Sequence, residues 1–495
     1  MHMYDLPKEY DLISIGTGSA MNIVDAMLQR DPNLKVAVID KDEPGGICLT
    51  RGCIPSKILL YPAEMVSTIE KAKELGIDVQ LSKIDFKKVM GRMRHIINEE
   101  IDIIRNGLSE SKNIDYYHDV AEFVEPYTLK VGNDTMIKSK MIFLCTGSKP
   151  IIPPIKGLEN IRYHTSDTIL ALDDLPESIA IVGGGYIAAE YGYFFSSMGS
   201  EVTIIGRNKQ FLPEEEPETS ALVKRELGNH VRIITNYEVI EVSNAPNNNG
   251  DKEKEKRLII QDKGPEKKEK TVTAQEVLVA AGRGSSTNIL HPERGGINID
   301  DKGWIVVNDY LEASQPNIWA FGDANGVYPF KHKANYEAEL VYRNAVLSKK
   351  EKIKRDYHAV PHAVFTYPEV AAVGLREKDA LEKYGENNVL IGIARYEDTP
   401  KGIAMGVKDY FAKVIVKADN LEIIGAHIVG SHASMLIHEI INIMYTNSER
   451  TVNPILRAMH IHPALNEVVQ RSVSSLMPLK QYHHMITEHY GLLSE

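Results

Sequence analysis

The sequence predicts an α/β protein that carries one strand–glycine turn–helix unit twice and closes on a smaller α+β region. Three observations predict it. Short apolar runs lead directly into glycine-rich turns at Gly16 and at Gly183, each turn opens a helical stretch, and two further apolar runs, Phe411 to Val416 and Ile423 to Ile428, precede a long helical pattern near the C-terminus.

In the first unit, Tyr10-Asp11-Leu12-Ile13-Ser14-Ile15 has the pattern of a buried strand. It runs into Gly16-Thr17-Gly18-Ser19-Ala20-Met21 and a helix expected over Asn22 to Gln29. Glycines there let the backbone approach a pyrophosphate resting on the helix N-terminus. The next strand, Val36-Ala37-Val38-Ile39, delivers Asp40 where a ribose hydroxyl needs an acceptor. Met21 departs from the pattern, since a small residue normally stands at that position.

Cys48 and Cys53 follow closely, in the run Gly45-Gly46-Ile47-Cys48-Leu49-Thr50-Arg51-Gly52-Cys53-Ile54-Pro55-Ser56-Lys57. A structural zinc site needs about four N/S ligands, and the only other cysteine, Cys145, stands alone in an apolar run expected to be a packed strand. No metal site is expected. With three cysteines in 495 residues and no recognisable secretory segment, a purely structural disulfide is disfavoured, and the pair reads as redox-active in a reducing, cytoplasmic compartment. Pro55 suits the first turn of a helix, which would set Cys53 at that helix's N-terminus, where the dipole favours thiolate.

The second unit runs from Ser178-Ile179-Ala180-Ile181-Val182 through Gly183-Gly184-Gly185-Tyr186-Ile187-Ala188-Ala189-Glu190 and a helix to about Met198, then the strand Glu201 to Ile205. Two Rossmann-like units imply two dinucleotides. Aligning their second strands sets Gly206-Arg207-Asn208-Lys209 where the first unit has Asp40-Lys41. An acid at that point repels a 2′-phosphate, whereas Arg207 and Lys209 can bind one, so NADPH is favoured over NADH.

The remaining composition narrows the function classes. A net charge of -11 argues against nucleic-acid binding, and no apolar run approaches the roughly 20 residues of a membrane span. Asn244 to Thr271 is polar and rich in lysine and glutamate, and reads as an extended, mobile hairpin.

Together, the paired units, the Cys48 to Lys57 run, Cys145-Thr146-Gly147-Ser148-Lys149-Pro150, Ala281-Gly282-Arg283, Ile318-Trp319-Ala320-Phe321-Gly322-Asp323-Ala324 and His462-Pro463-Ala464-Leu465-Asn466-Glu467 resemble the class I FAD-dependent pyridine nucleotide-disulfide oxidoreductases. The motifs stand in that family's order along nearly the whole chain. The resemblance implies two Rossmann-like domains, for FAD and for NAD(P), plus a C-terminal α+β dimerisation domain. The expected boundaries are 1–150 for the first part of the FAD domain, 151–282 for the NAD(P) domain, 283–350 for the second part of the FAD domain and 351–495 for the interface domain, which would make a homodimer.

The same resemblance implies roles. Gly16, Gly18 and Asp40 would contact FAD, Asp323 its ribityl chain, and Thr146 and Gly147 would close over it, with Gly282 in the adjoining segment. Gly183, Gly185, Arg207 and Lys209 would hold the nicotinamide nucleotide, with Tyr186 as an aromatic gate. Lys57 and Glu190 match an ion pair beside the flavin. Cys53 would lie against the flavin, Cys48 would exchange with the substrate disulfide, and His462, oriented by Glu467, would move the proton from the other subunit, with His460 a nearby competitor. Substrate signals divide. His332-Lys333-Ala334 resembles dihydrolipoamide dehydrogenase, the preferred reading, with a lipoyl substrate or the lipoyl domain of a 2-oxoacid dehydrogenase complex as partner. Arg207 and the motif from His462 to Val469 resemble an NADPH-dependent reductase of low-molecular-weight disulfides, of the glutathione or mycothione reductase kind. A non-enzymatic flavin-binding scaffold is the reading from another class, and the intact Cys48, Cys53, His462 and Glu467 set argues against it.

Overall fold

The computed structural model describes residues 6–245, 255–347, 350–446 and 449–490. Two compact units emerge, the first from Met1–Ile58, Lys88–Ile151 and Gly282–Asp356, the second from Leu59–Lys87, Ile152–Ala281 and Tyr357–Glu495. Residues 59–87, read from sequence as part of the FAD domain, cluster with the second unit because Phe86 packs against Phe194 and Phe195 there.

In the first unit a parallel sheet runs in the order Ile318–Ala320, Ile142–Leu144, Leu12–Ile15, Val36–Ile39 and Ile114–Tyr117. Strand periodicity divides its side chains between two cores. Leu12, Val36, Val38 and Phe143 meet the helix Ala20–Arg30, whose Ala20, Ile23, Val24 and Met27 recur at helical spacing. Ile13, Ile15, Ala37, Ile39 and Leu144 meet Phe123, Leu129 and Ile137 of a second sheet. The strand expected over Tyr10 to Ile15 is two strands, since Lys8–Tyr10 pairs with Thr135–Ser139 while Leu12–Ile15 joins the main sheet. Asp11 stands between them, bonded through both its backbone and its carboxylate to Lys35. Met21 is accommodated at the edge of the core while Ala20 is fully buried, so the helix still approaches the sheet.

In the second unit a parallel sheet runs His164–Thr165, Glu276–Val279, Ser178–Val182, Glu201–Gly206 and Arg232–Thr235. An antiparallel sheet of six strands follows in the order Pro361–Val364, Val370–Gly374, Ile423–Val429, Phe411–Lys417, Val389–Arg395 and Met477–Pro478. The polar stretch after Asn244 is more structured than its composition predicts. Tyr237–Asn244, Lys256–Asp262 and Glu269–Ala274 form a three-stranded sheet that buries Leu258 and Ile260, while residues 246–254, the centre of the expected hairpin, lie outside the described residues. Among the described residues, no helix is long and apolar enough to cross a membrane.

Candidate active site

The two glycine turns share one geometry. Gly16 has φ +101 and a Cβ there would lie 2.2 Å from the Cys145 carbonyl oxygen; Gly183 has φ +145 and a Cβ there would lie 2.2 Å from the Ala280 carbonyl oxygen. Only glycine fits either place. In the first turn the Thr17 amide and hydroxyl donate to Asp40 Oδ2 at 2.9 and 2.6 Å, and the Gly45 amide donates to the Thr17 hydroxyl at 3.0 Å. Asp40 is thereby aimed at the turn. Gly46 packs so tightly on Gly18 that a Cβ would meet the Gly18 Cα at 2.7 Å.

That contact brings the cysteines to the turn. Cys48 lies in the short helix Gly46–Thr50, Cys53 is the first residue of the helix Cys53–Ala72, and the two form a disulfide with 4.9 Å between Cα atoms. Both are half-buried, open to a reaction partner without being surface thiols. At the helix N-terminus the reduced Cys53 gains thiolate stabilisation from the backbone dipole. Lys57 is half-buried one turn further on, its Nζ 3.4 Å from the Ser56 hydroxyl.

Opposite these, a Cβ on Gly147, at φ +65, would meet the Ile47 side chain at 2.6 Å, so the Thr146-Gly147 segment closes on the cysteine helix. The Thr146 hydroxyl is buried and, among the described residues, has no hydrogen-bond partner. Asp323, in the turn Gly322–Asn325, accepts from the Ser148 hydroxyl at 2.5 Å; Arg283 donates to the same hydroxyl at 2.7 Å and to the Ser148 carbonyl at 2.8 Å. Gly282 precedes it at φ +118, and its carbonyl accepts from the Ile151 amide. A turn without room for Cβ atoms, an aimed Asp40 and an orphaned buried hydroxyl at Thr146 fit a dinucleotide such as FAD.

In the second unit Gly185 begins the helix Tyr186–Met198 with open space around it, and Ala188 is fully buried at the small position. Arg207 and Lys209 follow the strand Glu201–Gly206; both are exposed, and among the described residues neither has an ion-pair partner. Glu190 is buried, its Oε1 accepting from the Phe365 amide at 3.1 Å. The Tyr186 ring stacks on His362 with 5.5 Å between centroids. Further along, His462 Nδ1 and Glu467 Oε1 are 3.0 Å apart, and Glu467 Oε2 accepts from the Ala464 amide. The bond from His462 holds the Glu467 carboxyl below the usual range, against a smaller opposing effect of burial. The imidazole itself is two-thirds exposed, at 66%, with Nδ1 engaged by Glu467. His460, the competitor, has a 5% exposed ring tied to Glu439 at 2.8 Å, so it cannot serve as an outward acid or base.

Residues 10–345 match the family described as pyridine nucleotide-disulphide oxidoreductase, and residues 360–473 match the dimerisation domain of the same family. The chain belongs to this family. Mycothione reductase of Mycobacterium tuberculosis is 32% identical over 482 residues, 95% of this chain and 100% of the relative. Dihydrolipoyl dehydrogenase of Chlamydia pneumoniae is 32% identical over 469 residues, covering 94% of this chain and 96% of the relative. Among solved structures, the Cu(II) complex of the HOCl-induced flavoprotein disulfide reductase RclA from Escherichia coli superposes with a TM-score of 0.81 at 25% identity, covering 94% of this chain and 99% of that one.

Two features of this pyridine nucleotide-disulphide oxidoreductase support the site in a way the sequence does not announce, where Lys333 stands out only as part of the His332-Lys333-Ala334 resemblance. Lys333 and Glu337 are fully buried as an ion pair at 2.9 Å, and together they hold the Asp323 turn: Glu337 accepts from the Gly322 amide and Asn325 side chain, while Lys333 donates to the Gly322 carbonyl and Asn325 Oδ1. A lysine and glutamate four apart ordinarily read as a surface pair. Lys331 donates to the Ser19 hydroxyl at 3.0 Å, setting a cation beside the N-terminus of the first glycine-turn helix. Burial lowers its pKa. Cys145, expected inside a strand, follows the strand Ile142–Leu144 and is half-buried; its amide donates to the Ile15 carbonyl and burial pushes its thiol up.

Proposed function

We propose that this chain is a homodimeric NADPH-dependent reductase of small disulfides, with Cys48–Cys53 as its redox pair. The observation that carries the reading is the disulfide itself, held against the Gly16–Gly18 turn by the Gly46 contact. FAD bound on the first unit supplies two-electron exchange between the nicotinamide and that disulfide. Gly16, Gly18 and Asp40 would hold its adenosine half, Thr146 and Gly147 would close over it, and Lys57 would supply a fixed cation near it. Gly183, Gly185, Arg207 and Lys209 hold NADPH on the second unit.

Once reduced, Cys48 attacks one sulfur of the substrate disulfide, forming a mixed disulfide and expelling the first thiolate. Cys53 thiolate then attacks Cys48 sulfur, which restores the Cys48–Cys53 bond and expels the second. His462 takes the proton of Cys48 and gives it to the first departing thiolate, then passes a second proton, taken up from solvent, to the other, and Glu467 fixes its tautomer and stabilises its charged form. His462 serves the disulfide of the second copy in the homodimer, consistent with a match to the dimerisation domain.

The second reading, the one the sequence prefers through His332-Lys333-Ala334, is a dihydrolipoyl dehydrogenase, to which the chain is as similar, at 32% identity, as it is to mycothione reductase. Comparing NADPH plus glutathione-type disulfides with dihydrolipoamide plus NAD(P)⁺ separates them. The reductase reading is wrong if only the second pair turns over. Arg207→Glu tests the nucleotide preference: replacing a cation by an acid at the 2′-phosphate position is expected to cut kcat/KM for NADPH about 30-fold or more relative to NADH. An unchanged ratio contradicts it.

A further inference from the structure

We propose that Glu215 and His362 form a positioning clamp for the nicotinamide-nucleotide site, fixing both the Tyr186 ring and the loop that carries Arg207 and Lys209. The inference rests on the reading that the second unit binds a nicotinamide nucleotide, and deepens it by naming groups that set the affinity.

The loop after the strand Glu201–Gly206 is pinned at two points. At its middle, the Leu212 amide donates to the Gly184 carbonyl of the glycine turn at 2.9 Å, and the Gln210 side chain caps the loop by donating to the Glu215 carbonyl at 2.8 Å. At its end, the Glu215 carboxylate is buried, 2% exposed, and its Oε1 lies 2.7 Å from His362 Nε2 on the strand Pro361–Val364. Burial alone would raise the Glu215 pKa, yet His362, with His427 behind it, holds it below the usual range, so the carboxylate accepts and His362 Nε2 donates.

The same imidazole stacks on Tyr186 at an interplanar angle of 18°. Tyr186 is the first residue of the helix on whose N-terminus a nucleotide pyrophosphate rests. One histidine therefore fixes two parts of the nucleotide site, the ring at the helix start and the loop with Arg207 and Lys209. Glu215 also meets Tyr186 itself, whose side chain bonds to the carboxylate and helps to hold it below the usual range, so the ring and the end of the loop are direct neighbours. A site with this support binds tightly because its groups are ordered before the nucleotide arrives; removing the support makes binding bear that ordering cost.

The test uses the FAD-loaded protein and its His362→Ala, His362→Phe and Glu215→Gln variants, with calorimetric titration of NADP⁺ and of 2′,5′-ADP, which lacks the nicotinamide. His362→Ala, losing both stack and hydrogen bond, is expected to weaken NADP⁺ about three- to tenfold. His362→Phe keeps the stack and loses the bond. It is expected to recover part of the NADP⁺ affinity but little of the 2′,5′-ADP affinity, which depends on the loop. Glu215→Gln keeps an acceptor without its charge and is expected to fall between. In steady state the loss appears as a higher KM for NADPH with the KM for the disulfide unmoved, a split that general loosening of the fold does not produce. His362→Ala and Glu215→Gln both within twofold of wild type for NADP⁺ overturn the proposal, as does an equal loss in both KM values. Wild-type protein that binds neither NADP⁺ nor NAD⁺ removes the nucleotide reading itself, an outcome distinct from variants that match a binding-competent wild type.

Discussion

Cys53→Ser is expected to lower NADPH-driven disulfide reduction by at least about three orders of magnitude, since it removes one of the two sulfurs between which the electron pair is stored. Cys48 alone can open a substrate disulfide but cannot complete the cycle, because no neighbouring thiolate resolves the mixed disulfide. Cys145 does not substitute: its thiol is pushed up by burial, and it is the one free cysteine in a chain of three. Initial rates with NADPH and a small disulfide check this, and a variant within tenfold of wild type contradicts it. The fold should be unaffected, since Cys48 and Cys53 are only five residues apart and the bond closes a short loop.

Lys413→Met is expected to destabilise the protein by about 3–5 kcal/mol, the range for breaking a buried ion cluster by removing one partner. Lys413 is completely buried in the strand Phe411–Lys417, its Nζ 3.2, 2.6 and 2.8 Å from Glu216, Glu218 and Glu377. Those three carboxylates converge as a metal site's would, and the ammonium occupies the centre. Burial works against the charge on Glu218, but Lys413 and the Tyr482 hydroxyl outweigh it and lower its pKa. Stability from Glu218 is therefore present above the pKa of an unfolded glutamate and lost as pH falls through the lower folded value. In Lys413→Met the carboxylates face one another without a cation and their pKa values rise. The stability gap between wild type and variant should then narrow as pH drops from neutral toward the ordinary glutamate range. Urea midpoints at two pH values check it, and a gap that is small at neutral pH or widens on acidification contradicts it.

What could be read from the chain beforehand follows from what each residue needs locally. Gly16 and Gly183 were legible because a carbonyl 2.2 Å from any Cβ admits no other residue, and the apolar strands on either side keep strict spacing. Arg207 and Lys209 were placeable because in each unit the second strand pairs in parallel with the strand that enters the glycine turn, Val36–Ile39 with Leu12–Ile15 and Glu201–Gly206 with Ser178–Val182, so the residues after it follow from the strand pattern. Lys413 was not, because a charged residue in an apolar run carries no local mark of its distant partners, here Glu216 and Glu218 almost two hundred positions earlier in the chain; Lys333 and Glu337 have the spacing of a surface pair, which hides their burial. His362 carries no local mark either, its stack on Tyr186 and its bond to Glu215 being tertiary. The break at Asp11 and the strand Lys256–Asp262 show the converse error, where one apolar run serves two sheets and a polar run hides a strand with Leu258 and Ile260 facing inward.

Reduction by the nicotinamide nucleotide should open the bond between the sulfurs at positions 48 and 53. Anaerobic addition of one equivalent of NADPH to the FAD-loaded protein, followed by alkylation and peptide mapping, tests it most directly. The account requires two new thiols per chain, labelled at Cys48 and Cys53, with Cys145 unchanged. NADPH that is consumed while the Cys48–Cys53 peptide remains disulfide-linked would contradict it.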